Sequence, residues 1–128
     1  MARIYIAGPY SSDSTFGQQA NIDAARGAAI ALYRMGHTPF CPHTMTAWFD
    51  RLAPDIPGEV YLRTGIEWLR LCEAVLMLPG WEQSAGSRAE YAEARERGLW
   101  VYVSIEEIPL EVAADGMEAL VGDTEEAG

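Results

Sequence analysis

The stretch Ala74-Val75-Leu76-Met77-Leu78 constrains the fold most: five apolar residues in a row, stopped by Pro79-Gly80. A strand with one wet face alternates apolar and polar residues, whereas an unbroken run ended by turn residues describes a strand buried on both faces, as in a parallel sheet. Arg3 to Ala7 is a second β-rich run and ends at Gly8-Pro9, a pair that cannot continue a central strand. His37 to Cys41, stopped by Pro42, and Leu99 to Val103 read as two more strands.

Helical patterns separate these strands. An Ala-rich segment from about Asn21 to Met35 carries Ile22, Ala25, Ala29, Leu32 and Tyr33 at helical spacing and ends at Gly36. Glu59 to Cys72 has Leu62, Ile66 and Leu69 on one face, and Ser87 to Arg97 ends at Gly98, an expected C-terminal cap. The residues from His43 to Pro57 mix prolines and aromatics into a long, partly helical loop, a kind of segment that often carries function. Pro109 to Leu120 reads as a last helix before a frayed acidic tail from about residue 121. Strands alternating with helices imply crossover units, a parallel sheet and helices on both faces, hence an α/β chain in three layers. At 128 residues, one domain over the whole chain is expected.

Charge narrows the partners. The net charge of −10, from 9 basic against 19 acidic residues, opposes contact with a polyanion, so nucleic acid polymers and anionic membranes are poor partners. A small nucleotide remains possible because backbone amides at one helix terminus can hold a phosphate. Cys41 and Cys72 have no spaced partners for zinc or a disulfide framework, and no apolar run is long enough to span a bilayer, which gives a cytoplasmic expectation. No metal and no cofactor is required.

Ligands of open parallel sheets bind beyond the carboxyl ends of the strands, which selects the loops Gly8 to Ser12, Pro42 to Asp50 and Pro79 to Glu90. In the last of these, small residues let a ligand approach the backbone, and Glu90 stands on the first turn of a helix. The same spacing, Ser87-x-x-Glu90, fits a capping box; pattern alone favours the cap, because such boxes are common and catalytic carboxylates rare. Glu93, four residues before Arg97, reads as half of a solvated ion pair. Tyr10 either points into the cleft or packs a turn, and Ser11 and Ser12 either donate to a ligand or cap the next helix. His43 is positioned for a polar contact, with a structural hydrogen-bonded role favoured over a metal. Trp48, Phe49 and Trp81 can stack on a base, and core or interface packing explains them as well.

Taken in order, Ile4-Tyr5-Ile6-Ala7-Gly8-Pro9-Tyr10, Pro39-Phe40-Cys41-Pro42-His43, Leu71-Cys72-Glu73-Ala74-Val75 and Leu78-Pro79-Gly80-Trp81-Glu82-Gln83-Ser84-Ala85-Gly86-Ser87-Arg88-Ala89-Glu90 closely resemble the nucleoside 2-deoxyribosyltransferase-like superfamily. The likeness is strongest to a branch of short bacterial and phage proteins related to deoxynucleoside monophosphate N-glycosidases. It implies a flavodoxin-like sheet, a homo-oligomer (dimer or tetramer) whose site a neighbouring subunit completes, and cleavage or transfer at the N-glycosidic bond of a nucleoside or its 5′-monophosphate. It further implies Glu90 as nucleophile, Tyr10 in the sugar and base pocket, and Gly8, Ser11, Ser12, Ser84, Gly86 and Ser87 as the residues that hold a substrate phosphate; Pro9, His43 and Trp81, from the same loops, are candidate substrate contacts on position alone. One departure stands out. The superfamily carries an aspartate eight residues before the acidic residue that opens strand three, and counting back from Glu73 reaches Gly65. Either Asp50 or Glu82 supplies the missing proton, or the chain is a nucleotide-binding or regulatory module with weakened chemistry.

Overall fold

The computed structural model describes residues 2–110, so most of the expected last helix and the acidic tail lie outside the described residues. Four strands, β1 (Arg3–Ala7), β2 (Thr38–Phe40), β3 (Ala74–Met77) and β4 (Trp100–Tyr102), form one parallel sheet in the order β2-β1-β3-β4. Tyr5 sits opposite Phe40 on one side and Val75 on the other, so β1 and β3 are the central pair. Every residue of β3 is buried, as an uninterrupted apolar run requires.

Because successive strand residues point to opposite faces, the core divides in two. Ile4, Ile6, Ala74 and Leu76 pack with Ala25 and Leu32 of helix α1 (Thr15–Arg34). Tyr5, Ala7, Val75 and Met77 pack on the other face with Leu69 of helix α4 (Gly58–Leu69) and Ala94 of helix α5 (Ala85–Glu96). The result is a three-layer α/β/α arrangement. Between β2 and α4 the chain makes two single helical turns, α2 (Pro42–Met45) and α3 (Phe49–Leu52), in the segment read as a partly helical loop.

Several boundaries differ from the sequence reading for identifiable reasons. Helix α1 starts at Thr15 rather than Asn21, because the Ser14 side chain accepts the Gly17 amide at 3.0 Å and caps a polar first turn that has no apolar stripe to announce it. Tyr33 is exposed, and the buried stripe instead begins with Gln18. Helix α4 stops at Leu69, short of Cys72. Helix α5 starts at Ala85, two residues before the expected Ser87, while Gly98 takes the left-handed conformation (φ +71°) expected after its end. No helix among the described residues is long and apolar enough to cross a membrane.

At the amino ends of the strands, Glu73 accepts the Arg3 amide (2.9 Å) and its guanidinium (2.6 Å), which ties β1 to the start of β3. The carboxyl ends open into the three loops selected from the sequence.

Candidate functional site

Those loops converge on one cavity of about 820 Å³, within the range of small-ligand sites. Its position follows from the sheet order: β1 and β3 end side by side, and the segments after them, with the α2–α3 turns and the start of α4, form the walls. The Gly8 backbone passes so close to β3 that a Cβ there would stand 2.8 Å from Leu78 Cβ, so only glycine fits this crossing.

Glu90 lines the cavity, and its orientation decides between the two readings of its motif. The cap of α5 is Ser84, whose Oγ accepts the Ser87 amide at 3.2 Å. Ser87 therefore lies inside the helix, buried, with its hydroxyl lacking a protein partner among the described residues. Glu90 does not fold back to an amide. Ser87, Glu90, Tyr91 and Ala94 follow helical spacing along the face of α5 turned to the sheet, and the Glu90 carboxylate accepts a hydrogen bond from the Tyr5 hydroxyl. The capping box expected at Ser87 and Glu90 is thus replaced by a single-residue cap one turn earlier.

Tyr5 comes from the middle of β1 and is fully buried, with its ring stacked on Phe40 at 5.9 Å between centroids. Burial raises the Glu90 carboxyl from an ordinary 4.5 to about 7, against the smaller lowering effect of the Tyr5 hydrogen bond. Burial and the adjacent carboxylate raise the Tyr5 phenol, which stays protonated and donating.

Helix α4 closes the other side of this pair. A Cβ built on Gly65 would lie 2.6 Å from the Tyr5 hydroxyl and 3.3 Å from Glu90 Oε2. The position where the resembling superfamily has an aspartate therefore faces the carboxylate, and in this chain the tyrosine hydroxyl fills the space that a side chain would need.

His43 is buried, and its Nε2 lies 3.1 Å from the Gly8 carbonyl and 3.0 Å from the Pro9 carbonyl. Both partners only accept, so Nε2 carries the hydrogen; burial lowers the imidazole pKa, which keeps the ring neutral. The structural role is thereby explicit: His43 fastens α2 to the loop after β1 while also forming part of the wall. Tyr10 lines the same wall and is fixed by its hydroxyl, which accepts the Trp48 amide at 2.7 Å and lies 3.1 Å from Asp50 Oδ1. Trp48 takes a left-handed conformation (φ 66°), a strained state for a bulky residue.

Gly8, Pro9, Ser11, Ser84, Gly86 and Ser87 all line the cavity. Ser12 does not: its hydroxyl points towards the first turn of α1, 3.4 Å from the Ser14 amide. Trp81 does not either; its ring stacks on Tyr91 at 4.6 Å and packs against the second core cluster. Of the two substitute acids considered, Asp50 lines the cavity and Glu82 is exposed outside it. Glu93 accepts from Arg97 (2.6 Å) and also from Arg70 at the C-terminal end of α4 (3.1 Å), so it links α5 to α4.

Sequence reasoning missed Tyr5, Tyr61 and Gln83 as parts of the wall. For Tyr5 one cue was present: a tyrosine at a core position of a central strand needs a partner for its hydroxyl. Among the described residues, no group of three or more His, Cys, Asp or Glu side chains is arranged to hold a metal ion.

A family model described as a domain of unknown function (DUF4406) matches residues 2–103. No curated protein matches the chain.

Proposed function

The chain belongs to the DUF4406 family, which has no assigned function, and from the cavity itself we propose that it cleaves or transfers at the N-glycosidic bond of a nucleoside or its 5′-monophosphate, with Glu90 as the nucleophile. The observation that carries this reading is the Glu90 carboxylate, which lines a cavity large enough to admit a nucleoside and is turned onto the Tyr5 hydroxyl rather than onto the amides of its own helix. The ordered resemblance to nucleoside 2-deoxyribosyltransferase-like proteins, in which the matching glutamate is the nucleophile, supports it.

In the proposed reaction a Glu90 oxygen attacks the anomeric carbon as the bond to the base nitrogen breaks, through an oxocarbenium-like transition state. The bonding pair leaves with the base, which takes a proton from solvent water, and the sugar becomes a glycosyl ester of Glu90. Water or a second base then attacks the same carbon and releases the carboxylate. Tyr5 holds the reacting oxygen in place and tunes its charge, and the amides and hydroxyls of the Ser84 to Ser87 turn offer donors to the sugar or its phosphate.

Chromatography of the full-length protein incubated with a panel of nucleosides and 5′-monophosphates tests the reading. Free base is expected from the parent and not from Glu90→Ala; equal release by both removes Glu90 from the mechanism.

A second reading, a binding or regulatory module with little chemistry, is favoured by one observation: Gly65 brings no acid to the carboxylate. Thermal stabilisation by a nucleotide without any base release would select it. An oligomer is part of the proposal as well, because Phe49, Leu52 and Ile56 are exposed on the α3 segment beside the cavity. Sedimentation analysis reads this directly.

A further inference from the structure

Asp50 stands on α3, a single helical turn, which is too short to aim a side chain by itself. Its carboxylate is nevertheless held by groups from two other elements. Gln18 of α1 is only 2% exposed, yet its Nε2 reaches both Asp50 oxygens, at 3.0 and 3.1 Å. The Gln18 oxygen accepts from the Arg51 guanidinium at 3.3 Å, so flipping the amide would break both contacts. The Tyr10 hydroxyl, already accepting the Trp48 amide, gives its one hydrogen to Asp50 Oδ1. A carboxylate accepts about four hydrogen bonds, which leaves capacity on Asp50 for a ligand donor.

The charge around the cavity has one sign. Glu90 and Asp50 both line it, and no Lys or Arg among the described residues does. The nearest guanidinium in sequence, Arg51, is turned onto Gln18 and over the Trp48 ring, 5.6 Å from its centroid. Such a wall attracts O–H and N–H donors and opposes a phosphate, because like charges brought together are strongly unfavourable.

We infer that Asp50 is a specificity-determining residue, which accepts a hydrogen bond from an O–H or N–H group of an uncharged nucleoside and turns away the corresponding 5′-monophosphate. The inference rests on the glycosidic reading for its ligand class and chooses between the two substrates that reading allows.

Calorimetric titration of the full chain carrying Glu90→Gln, so that binding is read without turnover, compares nucleosides with their 5′-monophosphates at low salt. The nucleoside is expected to bind about tenfold more tightly or better. Adding Asp50→Asn, which keeps an oxygen for Gln18 and Tyr10 while removing the charge, is expected to narrow that ratio by about tenfold. A purely structural Asp50 would weaken both ligands alike and leave the ratio unchanged, which overturns the inference and spares the glycosidic reading. Tighter binding of the monophosphate by the Glu90→Gln protein overturns it too. Gln18→Met, which frees the carboxylate without removing it, is expected to relax the same preference and serves if Asp50→Asn does not fold. Failure of the folded protein to bind either ligand class would remove the glycosidic reading and this inference together.

Discussion

Water stabilises an ionised carboxylate, and Glu90 has exchanged much of that water for a cavity wall and one phenol. In the proposed reaction Glu90 attacks as the ionised carboxylate, so kcat/KM is expected to rise with pH and level off above about 7, the value to which burial pushes this group. The Tyr5 hydrogen bond lowers that value, so Tyr5→Phe is expected to shift the rising limb to higher pH as well as slow turnover. Gly65→Ala, by pushing a methyl into the hydroxyl, should act in the same direction; a limb that stays in place in both variants would refute the coupling. Stability carries the opposite sign. The folded state raises the pKa of Glu90, so folding is most favourable with this group protonated and weakens as pH climbs from about 4.5 through about 7. Glu90→Gln should therefore leave stability little changed at pH 4 and raise it by up to about 3 kcal/mol above pH 7, measured by denaturant unfolding. From the sequence the direction of this side chain was undecidable, since Ser87-x-x-Glu90 meets the spacing of a capping box. What settled it was a competing cap at Ser84 together with the inward stripe of Ser87, Tyr91 and Ala94, and that stripe is informative only once the helix start is known.

At the scale of elements, the cap assignment yields its own test. Ser84→Ala removes the side chain that satisfies the Ser87 amide and is expected to cost about 1 kcal/mol. Ser87→Ala removes a buried hydroxyl with no protein partner among the described residues and should cost less, or even stabilise. Thermal unfolding of the two variants would show the reverse order if the cap belonged to Ser87. Strands were the legible elements: β-rich runs stopped by Gly-Pro, Pro and Pro-Gly gave three, and Leu99 to Val103 gave the fourth, each within one residue at either end. Helix starts were less legible, since Thr15 to Gln19 has no apolar periodicity and is held helical by Ser14. For α2 and α3 only the partly helical character of the segment was readable; how they are placed depends on contacts distant in sequence, His43 with Gly8 and Pro9, and Asp50 with Gln18.

For the molecule as a whole, the alternation of buried strands and helices was enough to fix three layers, and the rule that ligands bind past the strand ends was enough to find the cavity. Its charge character was not recoverable from the total of −10, since that sum does not say which acids face inwards. The part played by Tyr5 had a single cue, the need of its hydroxyl for a partner, and its position in an apolar strand disguised it as core. That position has a mechanical consequence. The hydroxyl that holds Glu90 is anchored to one of the two interior strands of the sheet, whereas Asp50 rides on a single turn at the periphery. Amide hydrogens of β1 and β3 are therefore expected to exchange with deuterium last, and those of residues 42–57 among the first. If the protein carries the proposed activity, mild denaturant should accordingly erode discrimination between substrates before it erodes bond cleavage, leaving a transient species that still reacts but no longer chooses.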